Sequence, residues 1–172
     1  MNNKNKIKIS IIGLGYVGLP LALEFSKYYS VVGFDIDKDR VKDLKKNIDK
    51  TREVKKTTLF KNKSISLTSD WKKIKKSDYF IITVPTPVNK KNEPNLDSLL
   101  QASKIVGQCI EKKNIVVVES TVYPGVTENL VVPHIEKQAK LKWKKDFNIA
   151  YSPERINPGD AKHKLTNIKK VI

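Results

Sequence analysis

The chain has 172 residues, 34 of them Lys or Arg against 18 Asp or Glu, giving a formal net charge of +16. That length suits one domain with a real core and is short for two of ordinary size. No apolar run approaches the roughly 20 residues that span a bilayer, the polar start Met1-Asn2-Asn3-Lys4-Asn5-Lys6 lacks a signal-peptide core, and the lone Cys109 excludes an internal disulfide.

A soluble cytoplasmic protein is therefore expected, with no metal site and with Cys109 as helix packing. The charge by itself is an electrostatic footprint of nucleic-acid binding. Its makeup points elsewhere, because only Arg40, Arg52 and Arg155 are arginine and the lysines are strewn along the chain. The planar fork of Arg is what suits phosphates and base edges. The lysines read as a solvated surface, with neither nucleic acid nor membrane as partner, and their field would draw in anionic ligands.

In chain order, Ile7, Ile9, Ile11 and Ile12 form an apolar run of strand length, and Gly13, Gly15 and Gly18 follow at the spacing G-x-G-x-x-G. A helix is predicted from near Tyr16, with Val17, Leu21, Phe25 and Tyr28 against a sheet and Pro20 as a discord near its start. Val31 to Phe34 reads as a second strand ending at Asp35. In this order Gly13 permits a tight turn, Gly15 lets a pyrophosphate approach the backbone, and Gly18 lets the helix pack closely. The N–H groups of Tyr16, Val17 and Gly18 at the helix start would face the anion. A carboxylate at Asp35 would accept the adenosine ribose hydroxyls and repel a 2′-phosphate, which predicts NAD rather than NADP.

Further elements follow. A helix is predicted over Asp37 to Ile48, a strand over Ser64 to Thr68, and a short helix through Trp71 and Ile74 capped by Asp70. Tyr79 to Val84 is an apolar strand stopped by Pro85-Thr86-Pro87, and Leu96 to Ile110 is a helix. Ile115 to Val118 is a strand ending in Glu119-Ser120-Thr121, Thr127 to Gln138 is a helix interrupted by Pro133, and Phe147 to Tyr151 is a strand ending in Ser152-Pro153-Glu154. Strands alternating with helices, several apolar on both faces, predict an α/β, Rossmann-type doubly wound fold: a mainly parallel sheet with helices on both faces. The last apolar residues, Val171-Ile172, resemble a strand cut short, so residues 1–172 are expected to be one NAD-binding domain from the front of a longer enzyme.

In such a sheet ligands bind beyond the carboxyl ends of the strands. The three polar segments after the later strands should therefore converge on the glycine turn. Glu154 suits a general base or a residue that orients water, and the Thr121 hydroxyl suits holding that water or the cofactor. His134 and His163 read as structural or exposed.

Four segments together carry a resemblance: Gly-Leu-Gly-Tyr-Val-Gly-Leu-Pro-Leu-Ala from Gly13, Val84-Pro85-Thr86-Pro87, Glu119-Ser120-Thr121-Val122-Tyr123-Pro124-Gly125, and Ser152-Pro153-Glu154-Arg155-Ile156-Asn157-Pro158-Gly159-Asp160. Their combination resembles the UDP-glucose/GDP-mannose dehydrogenase family over the whole chain. The form of the fourth is similar to the branch acting on UDP-N-acetylhexosamines. The resemblance implies oxidation of the sugar C6 alcohol to a uronic acid with two NAD, for surface polysaccharide. It implies proton transfer through water by Thr121 and Glu154, a basic residue beside the adenosine ribose at Arg40, and cofactor contact at Pro85 and Thr86. It also places Glu154, Arg155, Ile156 and Asn157 against the nucleotide sugar. The family's nucleophilic cysteine, its dimer-forming helical region and its UDP-binding domain lie downstream, so a homodimer is expected for the full-length protein and no nucleophilic role for Cys109. A non-catalytic NAD-binding or regulatory module is the rival reading.

Overall fold

The structure is a computed structural model, and it describes residues 7–54 and 65–154. Strands β1 (Lys8–Ile12), β2 (Ser30–Phe34), β3 (Ile65–Thr68), β4 (Tyr79–Ile82), β5 (Ile115–Val118) and β6 (Asn148–Tyr151) alternate with helices α1 (Gly18–Phe25), α2 (Lys38–Lys45), α3 (Asp97–Gly107) and α4 (Val132–Ala139). The strands form one sheet in the order β3-β2-β1-β4-β5-β6. Every pair is parallel, with Ile12 beside Phe34 on one side and Ile82 on the other.

Alternation along the strands fills both faces. Ile9, Ile11, Val31 and Ile81 pack against Leu19, Ala22 and Leu23 of α1 and Leu44 of α2. On the opposite face Ile12, Phe80, Ile82, Val116 and Val118 meet Leu99, Ala102 and Val106 of α3 and Ile135 of α4. This is the doubly wound arrangement expected of a chain whose strands are apolar on both sides. Two serines interrupt that pattern in a compatible way: the buried Ser10 and Ser77 hydroxyls bond each other at 2.7 Å, so neither is left unsatisfied.

Where sequence periodicity overran, the chain turns for local reasons. The helix after the glycine turn is assigned from Gly18, although the bond from Leu19 N to Gly15 O already closes a turn that includes Tyr16. Pro20 follows that turn: Leu19 N and Leu21 N donate to Gly15 O and Val17 O, and the proline removes the bond that would run to Tyr16 O between them. Tyr28, expected against the sheet, is 55 % exposed because α1 ends at Phe25. Ile48 is likewise exposed, since α2 stops at Lys45 and Asn47 takes a left-handed conformation (φ 61°). Pro133 splits the predicted 127–138 helix into a π-turn, Thr127–Val131, and α4 with the proline in its first turn. Val171 and Ile172, read as the start of a further strand, lie outside the described residues.

Candidate functional site

At the middle of the sheet the winding reverses, with β2 on one side of β1 and β4 on the other, and a crevice opens beyond the carboxyl ends of these strands. Gly13 turns the chain out of β1 with φ 95°, and its N–H donates to Phe34 O at 2.8 Å. The Thr83 hydroxyl, at the end of β4, donates to Gly13 O at 2.8 Å and also lies 3.1 Å from Ile12 O. At Gly18 a Cβ would come closer than 3.0 Å to Gly13 O and Thr83 Oγ1, so only hydrogen lets α1 sit this near the turn. Gly15 is different. Among the described residues a Cβ there would meet nothing within 4 Å, so Gly15 borders open space.

Two cavities, each of about 380 Å³, adjoin that glycine. One lies toward β2 and α3 and is walled by Gly13, Leu14, Asp35, Ile36, Asp37, Arg40, Thr51, Ser98, Gln101, Ala102 and Ile105. The other lies toward β5 and β6 and is walled by Tyr16, Val17, Thr86, Pro87, Glu119, Ser120, Thr121 and Glu154. Gly15, Thr83, Val84 and Pro85 line both. A dinucleotide has this shape: two nucleoside ends joined through a pyrophosphate. The N–H groups at the start of α1 precede its first internal bond and carry the positive end of the helix dipole, which suits the anion at the junction.

In the first cavity Asp35 Oδ2 accepts from Leu14 N at 2.8 Å and Oδ1 from Asp37 N at 3.0 Å, so the carboxylate is held facing the turn with lone pairs left for hydroxyls. Asp37 caps α2 by accepting from Asp39 N and Arg40 N. Arg40 Nε donates to Leu14 O at 2.9 Å. Its Nη2 lies 2.8 Å from Asp49 Oδ1 as an ion pair, outside the alignment of a hydrogen bond, and Nη1 has no hydrogen-bond partner among the described residues. Burial pushes the Asp49 carboxyl up, but the Thr51 hydroxyl, Arg40 and the N–H groups of Val54 and Thr51 outweigh it and hold the group below its ordinary range.

In the second cavity the loops after β4, β5 and β6 are tied together. Ser120 Oγ donates to Val84 O at 2.6 Å, Thr86 Oγ1 to Thr121 O at 2.7 Å, Glu154 N to Glu119 O at 3.1 Å, and Tyr151 Oη to Val122 O at 3.2 Å. These bonds bring Thr121, whose side chain is exposed, and the half-buried Glu154 into one hollow.

The family model of the UDP-glucose/GDP-mannose dehydrogenase family, NAD binding domain, matches residues 7–172. The chain belongs to this family. It is 50 % identical to a UDP-N-acetyl-D-glucosamine 6-dehydrogenase of Salmonella typhi, covering 97 % of this chain and 39 % of that one, and 47 % identical to one of Pseudomonas aeruginosa, covering 96 % and 39 %. The chain thus spans about two fifths of the length of these curated relatives. A solved UDP-D-ManNAc dehydrogenase from Pyrococcus horikoshii superposes with a TM-score of 0.79 at 32 % identity, over 89 % of this chain and 37 % of that one. A GDP-mannose dehydrogenase ternary complex from Pseudomonas aeruginosa superposes with a TM-score of 0.80 at 31 % identity, over 87 % and 36 %.

As the NAD-binding domain of this dehydrogenase family, the chain takes NAD as its cofactor. Gly13, Gly15, Asp35, Arg40 and Pro85 line the first cavity, while Tyr16, Val17, Thr86, Thr121 and Glu154 line the second, and Gly18 packs α1 behind the turn. Arg155, Ile156 and Asn157 lie outside the described residues. Cys109 lines neither cavity: it is buried, and burial pushes its thiol up to about 11. His134 Nδ1 lies 2.8 Å from Leu130 O of the preceding turn. Among the described residues no group of three or more His, Cys, Asp or Glu is placed to hold a metal, and no helix is long and apolar enough to cross a membrane. Sequence reasoning missed Thr83, which had been absorbed into an apolar strand, and missed Asp49 with Thr51. The one available signal for the latter was the Asp-x-Thr spacing of a turn in which the acid accepts from the residue two places on.

Proposed function

We propose that the chain is the cofactor-binding part of a nucleotide-sugar 6-dehydrogenase that oxidises the C6 alcohol of a UDP-N-acetylhexosamine to the uronic acid with two NAD, in the cytoplasm, for surface polysaccharide. The observation that carries this reading is the pair of cavities meeting at Gly15, with Thr121 and Glu154 in the cavity away from Asp35. A dinucleotide laid across the turn with its adenosine ribose at Asp35 has its other end beside these two residues. NAD, when bound there, accepts a hydride from the sugar carbon. The chain's own residues then orient water and move protons: the Thr121 hydroxyl holds a water, and Glu154 accepts the proton that leaves the C6 hydroxyl through it. Arg155, Ile156 and Asn157, which follow Glu154 directly, are assigned to the nucleotide sugar.

The second oxidation, to the acid, goes through a covalent intermediate in the reading proposed, and Cys109 cannot carry it, being buried with its thiol pushed up to about 11. Residues 1–172 are thus one domain of a longer, homodimeric enzyme, and the nucleophile and the UDP grip belong to the remainder. Residues 1–172 supplied with NAD and UDP-N-acetylglucosamine are expected to bind NAD and make no uronic acid, while the full-length protein makes it. Mass-spectrometric product analysis with calorimetric titration tests both halves. Uronic acid from residues 1–172 alone would overturn the division of labour, and absence of NAD binding would overturn the site. In the full-length protein, Glu154→Gln should leave NAD affinity nearly unchanged and slow turnover about 10²-fold or more, and undiminished turnover would reduce Glu154 to a loop residue.

A further inference from the structure

Asp35 and Arg40 send opposite signals about the cofactor. An acid at the end of the second strand repels a 2′-phosphate, whereas an arginine close by is the group that accommodates one. Both line the same cavity here. In the structure Arg40 is already engaged on the side of Asp49. The Arg40 side chain is only 10 % exposed and that of Asp49 only 2 %, so their 2.8 Å ion pair is shielded from water. On the same edge of the guanidinium, Nε is fixed to Leu14 O. Asp49 in turn is caged, accepting from Thr51 N at 3.1 Å, Thr51 Oγ1 at 2.7 Å and Val54 N at 3.0 Å, so it cannot swing away when another anion approaches. The positive charge is offset, and both Nη1 and Nη2 are buried, with no hydrogen-bond partner among the described residues.

We propose that Asp49, a residue outside the glycine motif and away from the strand ends, is a determinant of NAD-over-NADP selectivity: by pairing with Arg40 it withholds the one cation that the described residues place in this wall from a 2′-phosphate. Asp49 is a positioning residue, acting through Arg40. The inference rests on the reading of the first cavity as the adenosine end of an NAD site, and the test keeps the two apart.

Calorimetric titration of NAD and NADP into residues 1–172 and into the variants D49N, D49E, R40Q and D49N/R40Q measures the ratio of the two dissociation constants. In D49N, NADP should gain on NAD by about tenfold, the size of one charge-assisted hydrogen bond released to the phosphate. D49E restores the paired charge and should keep the wild-type ratio. D49N/R40Q should lose the gain, because the gain passes through Arg40. R40Q alone leaves the Asp49 carboxylate without its cation and should shift the ratio toward NAD, so the double variant, in which both charges are gone, is the one compared with wild type and should keep its ratio within about twofold. An unchanged ratio in D49N, or a gain that survives in D49N/R40Q, would overturn the proposal. If D49N loses its cooperative thermal transition, D49N/R40Q decides: a tenfold rise in NAD preference over wild type there would mean that Arg40 is free to meet the phosphate, and the proposal fails. A wild type that binds neither dinucleotide overturns the NAD site itself; one that binds NAD while these ratios stay fixed overturns only the role of Asp49.

Discussion

Gly15 and Gly18 stand three residues apart in one motif, yet the structure gives them separable jobs, and alanine at each should separate stability from binding. In Gly18→Ala the new methyl comes closer than 3.0 Å to Gly13 O and to Thr83 Oγ1, the first a backbone atom that cannot rotate away. Either α1 or the turn must retreat by about 1 Å, and overpacking of this kind costs roughly 1–3 kcal/mol. The Thr83 hydroxyl, crowded off Gly13 O, loses a hydrogen bond worth about 1 kcal/mol more. A total of about 2–4 kcal/mol is a large part of the 5–15 kcal/mol typical of a domain, and should lower Tm by roughly 5–15 °C at this chain length. In Gly15→Ala the methyl meets nothing within 4 Å, so Tm should stay within about 2 °C of wild type. The same methyl occupies the space into which the pyrophosphate would come, and NAD affinity should fall at least tenfold. Differential scanning calorimetry and NAD titration on the two variants make the comparison. A Gly18→Ala protein as stable as wild type, or a Gly15→Ala protein that binds NAD normally, would refute the division.

Asp35→Ala should weaken NAD and narrow its advantage over NADP by about tenfold in parallel titrations, because the acceptor for the ribose hydroxyls and the repulsion of a 2′-phosphate leave together. The Asp49 carboxyl is held below its ordinary value of 3.8, so the stability it contributes is present above that pH and is lost as pH falls through the lower, folded-state value. Thermal melts from pH 6 to 3 should therefore show a steeper fall for wild type than for D49N, and parallel curves would remove the argument. Cys109, buried and donating to Trp71 O at 3.6 Å with its thiol at about 11, should resist a disulfide reagent at pH 8 until denaturant unfolds the chain. Full modification of the native protein within minutes would contradict this.

What could be read from the sequence was whatever rests on periodicity or on a turn's demand for a particular residue. The strand Ile115–Val118 is found with its expected limits because four branched apolar residues between polar ones fit only a buried strand. Asp70 caps the 3-10 turn at Trp71–Ile74 as its side chain predicts, accepting from Lys72 N. Tyr28 and Ile48 were misplaced because an apolar residue at helical spacing says nothing about where the helix stops. The second cavity was legible in outline, since each wall follows a strand directly. The wall of the first was not: Ser98 and Gln101 are the polar positions of α3, which look like any solvated face, and the pairing of Arg40 with Asp49 depends on how an aperiodic loop folds back.

The bonds that shape the site join distant parts of the chain. Lys8 N donates to Asp78, Ser10 bonds Ser77, and Thr83 grips Gly13, each across about seventy residues. Closing loops of that length carries an entropic cost that must be met before any of these contacts gives a return, which slows folding of parallel sheets. The expectation is that the glycine turn acquires its final form only when β4 has zipped onto β1, because the Thr83 hydroxyl that holds it comes from the end of that strand. A ligand recognising the finished turn finds no early intermediate to bind, and so acts on the native state alone: added NAD should prolong the lifetime of the folded domain while leaving its rate of formation nearly untouched.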